Sequence, residues 1–275
     1  MNGFWDTHMH SEFSGDSDTP MEAQIESAIE KGLAGICFTD HYDPEFPMTA
    51  ENADMPEGFF LFDTVSYAEK VHALAKKYQN RLQILCGVEL GLQTTCTDAC
   101  RKLLSENNFD YVIGSIHVAD GLDPWYQTYW SGRSARDSVR RYFETVLSCI
   151  NAFPDFDALG HLDYVVRYCK DPAFVYDPAD YQDLLDEILR FLIAHGKALE
   201  LNTGGLRQPS GDTNPCREIL LRYRALGGTL LTLGADAHKP EHVALGFDRI
   251  RPLLISCDFK SVTVFRGRIP ESIEI

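Results

Sequence analysis

The chain of 275 residues is 44% hydrophobic and has no low-complexity or Pro/Gly/Ser-rich break, so it can bury one sizeable core and is expected to form a single domain over 1–275. Its formal net charge of −16 excludes a basic nucleic-acid-binding surface, and bound divalent cations would offset part of that acidity. No stretch of about 18 apolar residues and no basic-then-apolar leader occurs, so the expectation is a soluble, cytoplasmic protein with no membrane partner.

In chain order, Phe4-Trp5 opens a short strand that runs into Asp6-Thr7-His8-Met9-His10. Residues i and i+2 of an extended chain share a side, so His8 and His10 make half a metal site. Asp18-Thr19-Pro20-Met21-Glu22 reads as a helix start, with Thr19 as N-cap, Pro20 at N1 and Glu22 at N3 completing a capping box, and Gly32 ends that helix. Gly35-Ile36-Cys37-Phe38-Thr39 is a buried strand with Asp40-His41 at its carboxyl end. The loop over 42–58, with Pro44, Pro47 and Pro56, is long enough to cross the mouth of a site.

The strand-then-helix pattern repeats. A helix over about 63–78 leads to a strand ending at Glu89, and a second over 98–105 leads to a strand ending at His117. A helix over 134–151 precedes the short strand that ends at His161, and an amphipathic helix over 181–195, closed by Gly196, precedes the strand 198–202. A last helix over 215–226 is followed by a strand over 230–234, then Asp236 and His238. Seven β/α units predict a parallel sheet with helices outside, an α/β barrel whose site lies at the carboxyl ends of its strands. The eight cysteines sit mostly in apolar contexts and read as reduced, buried thiols; Cys96 and Cys100 are a close pair but lack the partner pair of a zinc knuckle.

Six of the nine histidines lie at strand ends, whereas His72 and His195 fall inside helical patterns and His242 follows the His238 loop, so these three are assigned to structure or solvent. Imidazole and carboxylate donors without thiolate suit Zn, Fe or Mn. Since four ligands fill a tetrahedral zinc, six histidines with Glu89 and Asp236 are too many for one ion, and two to three divalent metal ions are expected. Arg167, six residues after His161, and Arg207, five after Asn202, can reach over the same face as a cationic clamp for a phosphate ester. The proline-rich loop and Trp125-Tyr126-Gln127-Thr128-Tyr129-Trp130 suggest a walled pocket for a small aromatic or imidazole-bearing ligand; core packing or a dimer contact is the alternative for the aromatic segment.

Asp6-Thr7-His8-Met9-His10, Thr39-Asp40-His41, Gly87-Val88-Glu89, Ser115-Ile116-His117, Gly160-His161-Leu162-Asp163 and Gly234-Ala235-Asp236-Ala237-His238 resemble, in order, the motifs of the polymerase-and-histidinol-phosphatase (PHP) family. The resemblance implies a distorted (β/α)7 TIM-like barrel with a trinuclear metal centre. By it, His8, His10, Glu89 and Asp236 would hold the first metal, the bridging Glu89 with His117 and His161 the second, and Asp16, His41 and His238 the third, with Asp18 as the alternative to Asp16. Asp236, Glu89 and His238 would serve catalysis, and Arg167 and Arg207 would bind phosphate. Stand-alone length, with Asp163-Tyr164-Val165-Val166-Arg167 and Leu201-Asn202-Thr203-Gly204-Gly205-Leu206-Arg207, is similar to the histidinol-phosphate phosphatase branch, although Gly204-Gly205 replaces a more usual Ser-Gly. The implied partner is a small phosphate ester, L-histidinol phosphate first, with phosphotyrosyl protein or small nucleotides as other substrate classes. An amidohydrolase also opens with His-x-His but usually bridges its metals with a modified lysine, which Ser115-Ile116-His117 lacks. A metal-binding regulatory protein is the third reading, weakened because every ligand position is filled.

Overall fold

The computed structural model describes residues 3–208 and 211–275. The chain begins with β1 (Trp5–Asp6), α1 (Met21–Glu30), β2 (Gly35–Phe38), β3 (His41–Tyr42), α2 (Thr64–Tyr78) and β4 (Gln83–Gly91). It continues through α3 (Thr97–Glu106), β5 (Tyr111–Ser115), the short α4 (Gln127–Trp130), α5 (Ala135–Ala152), β6 (Ala158–Leu159) and α6 (Gln182–Ala194). The last part holds β7 (Ala198–Asn202), α7 (Arg217–Ala225), β8 (Leu231–Gly234), α8 (Phe247–Ser256), β9 (Ser261–Arg266) and β10 (Ile269–Glu274). No described helix is long and apolar enough to cross a membrane.

The parallel strands pair in the order β1-β2-β4-β5-β6-β7-β8, with β3 alongside β4. The ring is drawn shut between its ends, because Thr7 N–H donates to the Leu233 carbonyl at 2.9 Å and Met9 bridges Ala237 in parallel. This approach requires Gly234, where a Cβ would stand 2.3 Å from the His8 Cβ. The seven-stranded barrel expected from the sequence is therefore present. β1 and β6 are only two residues long, each handing over early to the loop that carries a histidine, whereas the nine-residue β4 carries Glu89 within the strand.

Several helix boundaries follow local chemistry. Asp63 caps α2 by accepting from Ser66 N–H at 2.7 Å, and Ser134 caps α5 through Asp137 N–H at 3.1 Å. Gly32 and Gly196 take positive φ after α1 and α6. The capping box at α1 does not form. Pro20 occupies the N-cap position, Glu12 accepts from Met21 N–H at 2.7 Å, and the Thr19 hydroxyl donates instead to the His238 carbonyl at 2.7 Å. A tertiary acceptor outcompetes the local one, and Thr19 ties down the loop that bears a candidate ligand.

The carboxyl-terminal hairpin β9–β10 was not anticipated. It closes the floor of the barrel: Phe265 stacks on Tyr111 with ring centroids 5.4 Å apart, and with Val264 it joins Trp5, Cys37, Leu85, Ile113, Ala158 and Ala198 in a separate apolar cluster. Arg268 binds Asp157 at 3.1 Å, holding the hairpin to the end opposite the site.

Candidate metal centre

Every candidate ligand leaves the barrel at its carboxyl-end mouth. His8 and His10 follow β1, His41 opens β3, and Glu89 lies in β4 directly opposite His41 in register. His117, His161, Asp236 and His238 follow β5, β6 and β8. Asp236 has φ 54°, a left-handed conformation that a non-glycine residue adopts at a cost. Arg207 holds this turn by donating from Nη1 to the Ala235 carbonyl at 2.8 Å and from Nη2 to the Asp236 carbonyl at 3.0 Å.

Glu89 is the centre of the cluster. Its Oε2 lies 3.2 Å from His8 Nε2, 3.5 Å from His10 Nε2 and 3.1 Å from His41 Nδ1. Its Oε1 lies 2.9 Å from His161 Nε2 and 3.2 Å from His117 Nε2, and accepts from the Ser115 hydroxyl at 2.6 Å. Asp236 Oδ1 is 3.3 Å from His10 Nε2 and 3.9 Å from His8 Nε2. Asp16 Oδ2 is 3.1 Å from His238 Nε2 and 3.6 Å from His41 Nε2, so Asp16 is the carboxylate of its loop that faces the imidazoles, whereas Asp18 makes no described contact with them. Ligand atoms converge within 4.8 Å in the groups His8/His10/Asp236, His8/Glu89/His161, His10/His41/His238 and His41/Asp43/His117. Asp43 is an addition to the set expected from the sequence.

Behind these side chains stands a layer of partners that sequence reasoning missed. Glu200, fully buried, accepts from His8 Nδ1–H at 2.6 Å and from the His161 backbone N–H at 2.7 Å. Asp43 accepts from His117 Nδ1–H at 2.6 Å. The Ser14 hydroxyl donates to Asp40 at 2.9 Å, which leaves its oxygen to accept from His10 Nδ1–H at 3.0 Å. One signal was available for Glu200: a carboxylate inside the apolar run Ala198–Asn202 must find a buried partner.

These partners settle which ring nitrogens face inward, and that provides the test of whether cations fit. With their Nδ1 atoms donating outward, His8 and His10 present Nε2 lone pairs to each other only 3.1 Å apart, while Glu89 Oε2 is buried with no hydrogen-bond partner. Lone pairs and a carboxylate brought together in this way require positive charge between them. The nitrogen and oxygen donors fit zinc, iron or manganese, and their distribution into several groups fits more than one ion.

The electrostatics agree. Burial pushes the Glu89 and Asp236 carboxyls up, but surrounding histidines, His8 first for Glu89 and His10 first for Asp236, hold both well below the ordinary carboxylate range. Burial works against a charged His8, yet Glu200 and Glu89 raise it well above its usual value, so a cation binding at Nε2 takes the place of a proton that the same two carboxylates would otherwise hold there. Burial and the neighbouring His238 and His41 lower His10 to about 3, so it stays a neutral donor.

Beside the cluster opens a pocket of about 440 Å³. Arg167 reaches it from the turn Tyr164–Tyr168, with its guanidinium stacked 4.8 Å from the Tyr164 ring and 5.4 Å from the Tyr168 ring and Nη1 3.9 Å from Asp236. Its Nε is buried without a partner. Phe46, Met55, Phe60, Trp125 and Tyr126 form further wall, and Arg207 also lines it. The aromatic segment thus divides: Trp125 and Tyr126 face the pocket, whereas Tyr129 and Trp130 are core.

A parallel barrel that gathers imidazoles and carboxylates for several cations at its mouth, with arginine beside them, defines the class of multinuclear metal-dependent barrel proteins. Within that class the chain belongs to the PHP domain family, whose model matches residues 6–204. It is 32% identical over 260 residues to a probable histidinol-phosphatase of Clostridium acetobutylicum, covering 94% of this chain and 95% of that one. It is 29% identical over 263 residues to the histidinol-phosphatase of Lactococcus lactis subsp. lactis, covering 95% and 94% of the two chains. The crystal structure of histidinol phosphate phosphatase from Lactococcus lactis, complexed with zinc, L-histidinol and phosphate, superposes with a TM-score of 0.89 at 27% identity, covering 98% of this chain and all of that one.

Proposed function

We propose that the protein is a phosphomonoesterase that hydrolyses L-histidinol phosphate to L-histidinol and inorganic phosphate. The observation that carries this reading is Arg167, a buried cation beside the ligand cluster with unused donors and no full salt bridge of its own. Such a group suits a charge-assisted bond to a phosphoryl oxygen. The whole-length likeness to a phosphatase holding L-histidinol and phosphate supports the substrate.

His8, His10, Glu89 and Asp236 would hold one ion, Glu89, His117 and His161 a second, and Asp16, His41 and His238 a third. Divalent cations bound there supply Lewis acidity that makes water nucleophilic near neutral pH and offsets phosphoryl charge. In the overall reaction water adds to phosphorus, the phosphorus–oxygen ester bond breaks, and the alcohol leaves with a proton. Asp236, an ionised carboxylate at the mouth, is placed to accept the water's proton, and His238, 3.5 Å from it, to pass one on. Arg167 orients the phosphoryl group, while Arg207 acts at one remove by fixing the Asp236 turn. Asp43 and Glu200 keep His117 and His8 in the tautomers that point Nε2 inward.

The floor-closing hairpin supports reading 1–275 as one working domain, and eight free thiols support a reducing, cytoplasmic compartment. The test is phosphate release from a panel of phosphomonoesters, with amide and lactone substrates alongside and metal analysis of the same preparation. Hydrolysis of amides or lactones without phosphate release would refute the reading.

A further inference from the structure

Asp123 is a pocket carboxylate that the metal centre does not use. It lies in the turn after β5, and its Oδ1 accepts from Trp125 N–H at 2.8 Å. Among the described residues it faces no arginine, lysine or histidine within ion-pair distance. The other pocket carboxylates differ: Asp16, Asp43, Glu89 and Asp236 each face at least one imidazole. An acid set into a pocket wall without a cation is costly to ionise, and burial pushes Asp123 up to about 6. Tyr126, Tyr164 and Tyr168 lie close enough to feel its charge, and aromatic faces favour a cation. Two of these rings also carry Arg167. The pocket therefore offers positive charge for a phosphoryl group and a separate negative charge, on shared aromatic walls, for something cationic.

We infer that Asp123 pairs with the ammonium group of the substrate and so selects amino-alcohol phosphates over neutral phosphomonoesters. This rests on the phosphomonoesterase reading above. L-Histidinol carries a primary amine, and a neutral ester such as phenyl phosphate does not. Charge-assisted bonds span about ten- to a hundredfold in affinity, and solvent access at this half-buried position favours the lower end.

The test compares wild type with Asp123→Asn, which keeps the acceptor for Trp125 N–H, on L-histidinol phosphate, O-phosphoethanolamine and phenyl phosphate. The expected result is a fall of about tenfold in kcat/KM for the two amines relative to phenyl phosphate, carried mostly by KM, with weaker inhibition by L-histidinol. Asp123→Glu should restore part of the ratio. Parallel loss on all three esters, or an unchanged ratio at an unchanged melting temperature, would overturn the inference. Wild type that cleaves phenyl phosphate but not L-histidinol phosphate would overturn the substrate reading instead, and the phosphoethanolamine ratio would still decide the role of Asp123.

Discussion

Glu200→Gln isolates a residue that touches no expected ligand position in sequence yet holds two of them in space. Its carboxylate accepts three bonds, from His8 Nδ1–H, from His161 N–H at 2.7 Å and from Asn202 Nδ2 at 3.2 Å. Glutamine has the same shape but only one acceptor oxygen. If that oxygen keeps His161 N–H, the amide NH2 faces His8 Nδ1; His8 must then move its proton to Nε2, closing the lone pair that points inward. If it keeps His8 instead, the His161 N–H is left facing a donor in a fully buried site, at a cost of about 1–3 kcal/mol. Loss of such an outer carboxylate weakens metal binding by about 10- to 100-fold, or about 1.4–2.7 kcal/mol at 1.36 kcal/mol per decade. Apparent dissociation constants from chelator competition, followed by metal content and phosphate release, measure this directly. A variant with wild-type metal affinity and stoichiometry would refute the claim that Glu200 sets the His8 tautomer.

Glu89→Gln should lower activity by orders of magnitude and reduce metal content, since one carboxylate meets five imidazoles; full occupancy with normal turnover would remove it from the centre. Arg167→Ala should keep its metals and lose about ten- to a few-hundredfold in kcat/KM, from a charge-assisted bond of roughly 1.5–3 kcal/mol, with weaker inhibition by inorganic phosphate and only partial rescue by lysine. Arg207→Ala should behave differently, losing metal as well as rate, because it releases the strained Asp236 turn; metal analysis of the two variants separates them. Metal affinity should fall as pH drops, because each imidazole must be deprotonated to bind, and chelation should lower the melting temperature as well as abolish activity. Phe265→Ala should cost about 3–5 kcal/mol in thermal or denaturant unfolding by opening the barrel floor.

The ligands were legible because a parallel barrel makes them so. Each β/α unit hands its strand's last residues to one mouth, so His8, His10, His41, Glu89, His117, His161, Asp236 and His238 could be picked out one strand at a time, without knowing how the strands meet. The apolar periodicity of the helices and the Gly32 and Gly196 stops are equally local. What only the tertiary structure decided depends on separation across the ring. Glu200 meets His8 from 192 residues away, and nothing near either residue encodes that pairing. Thr19 looked like a cap because its neighbours are cap-like, but the His238 carbonyl, 219 residues on, offered the better acceptor. Asp43, Asp123 and Glu200 are all carboxylates outside the ligand set expected from the sequence. One orients His117, one stands in a pocket without a cation, and one buttresses His8, and the difference lies in which donor the closed barrel places opposite each, which a buried charge feels only through contact at a few ångströms.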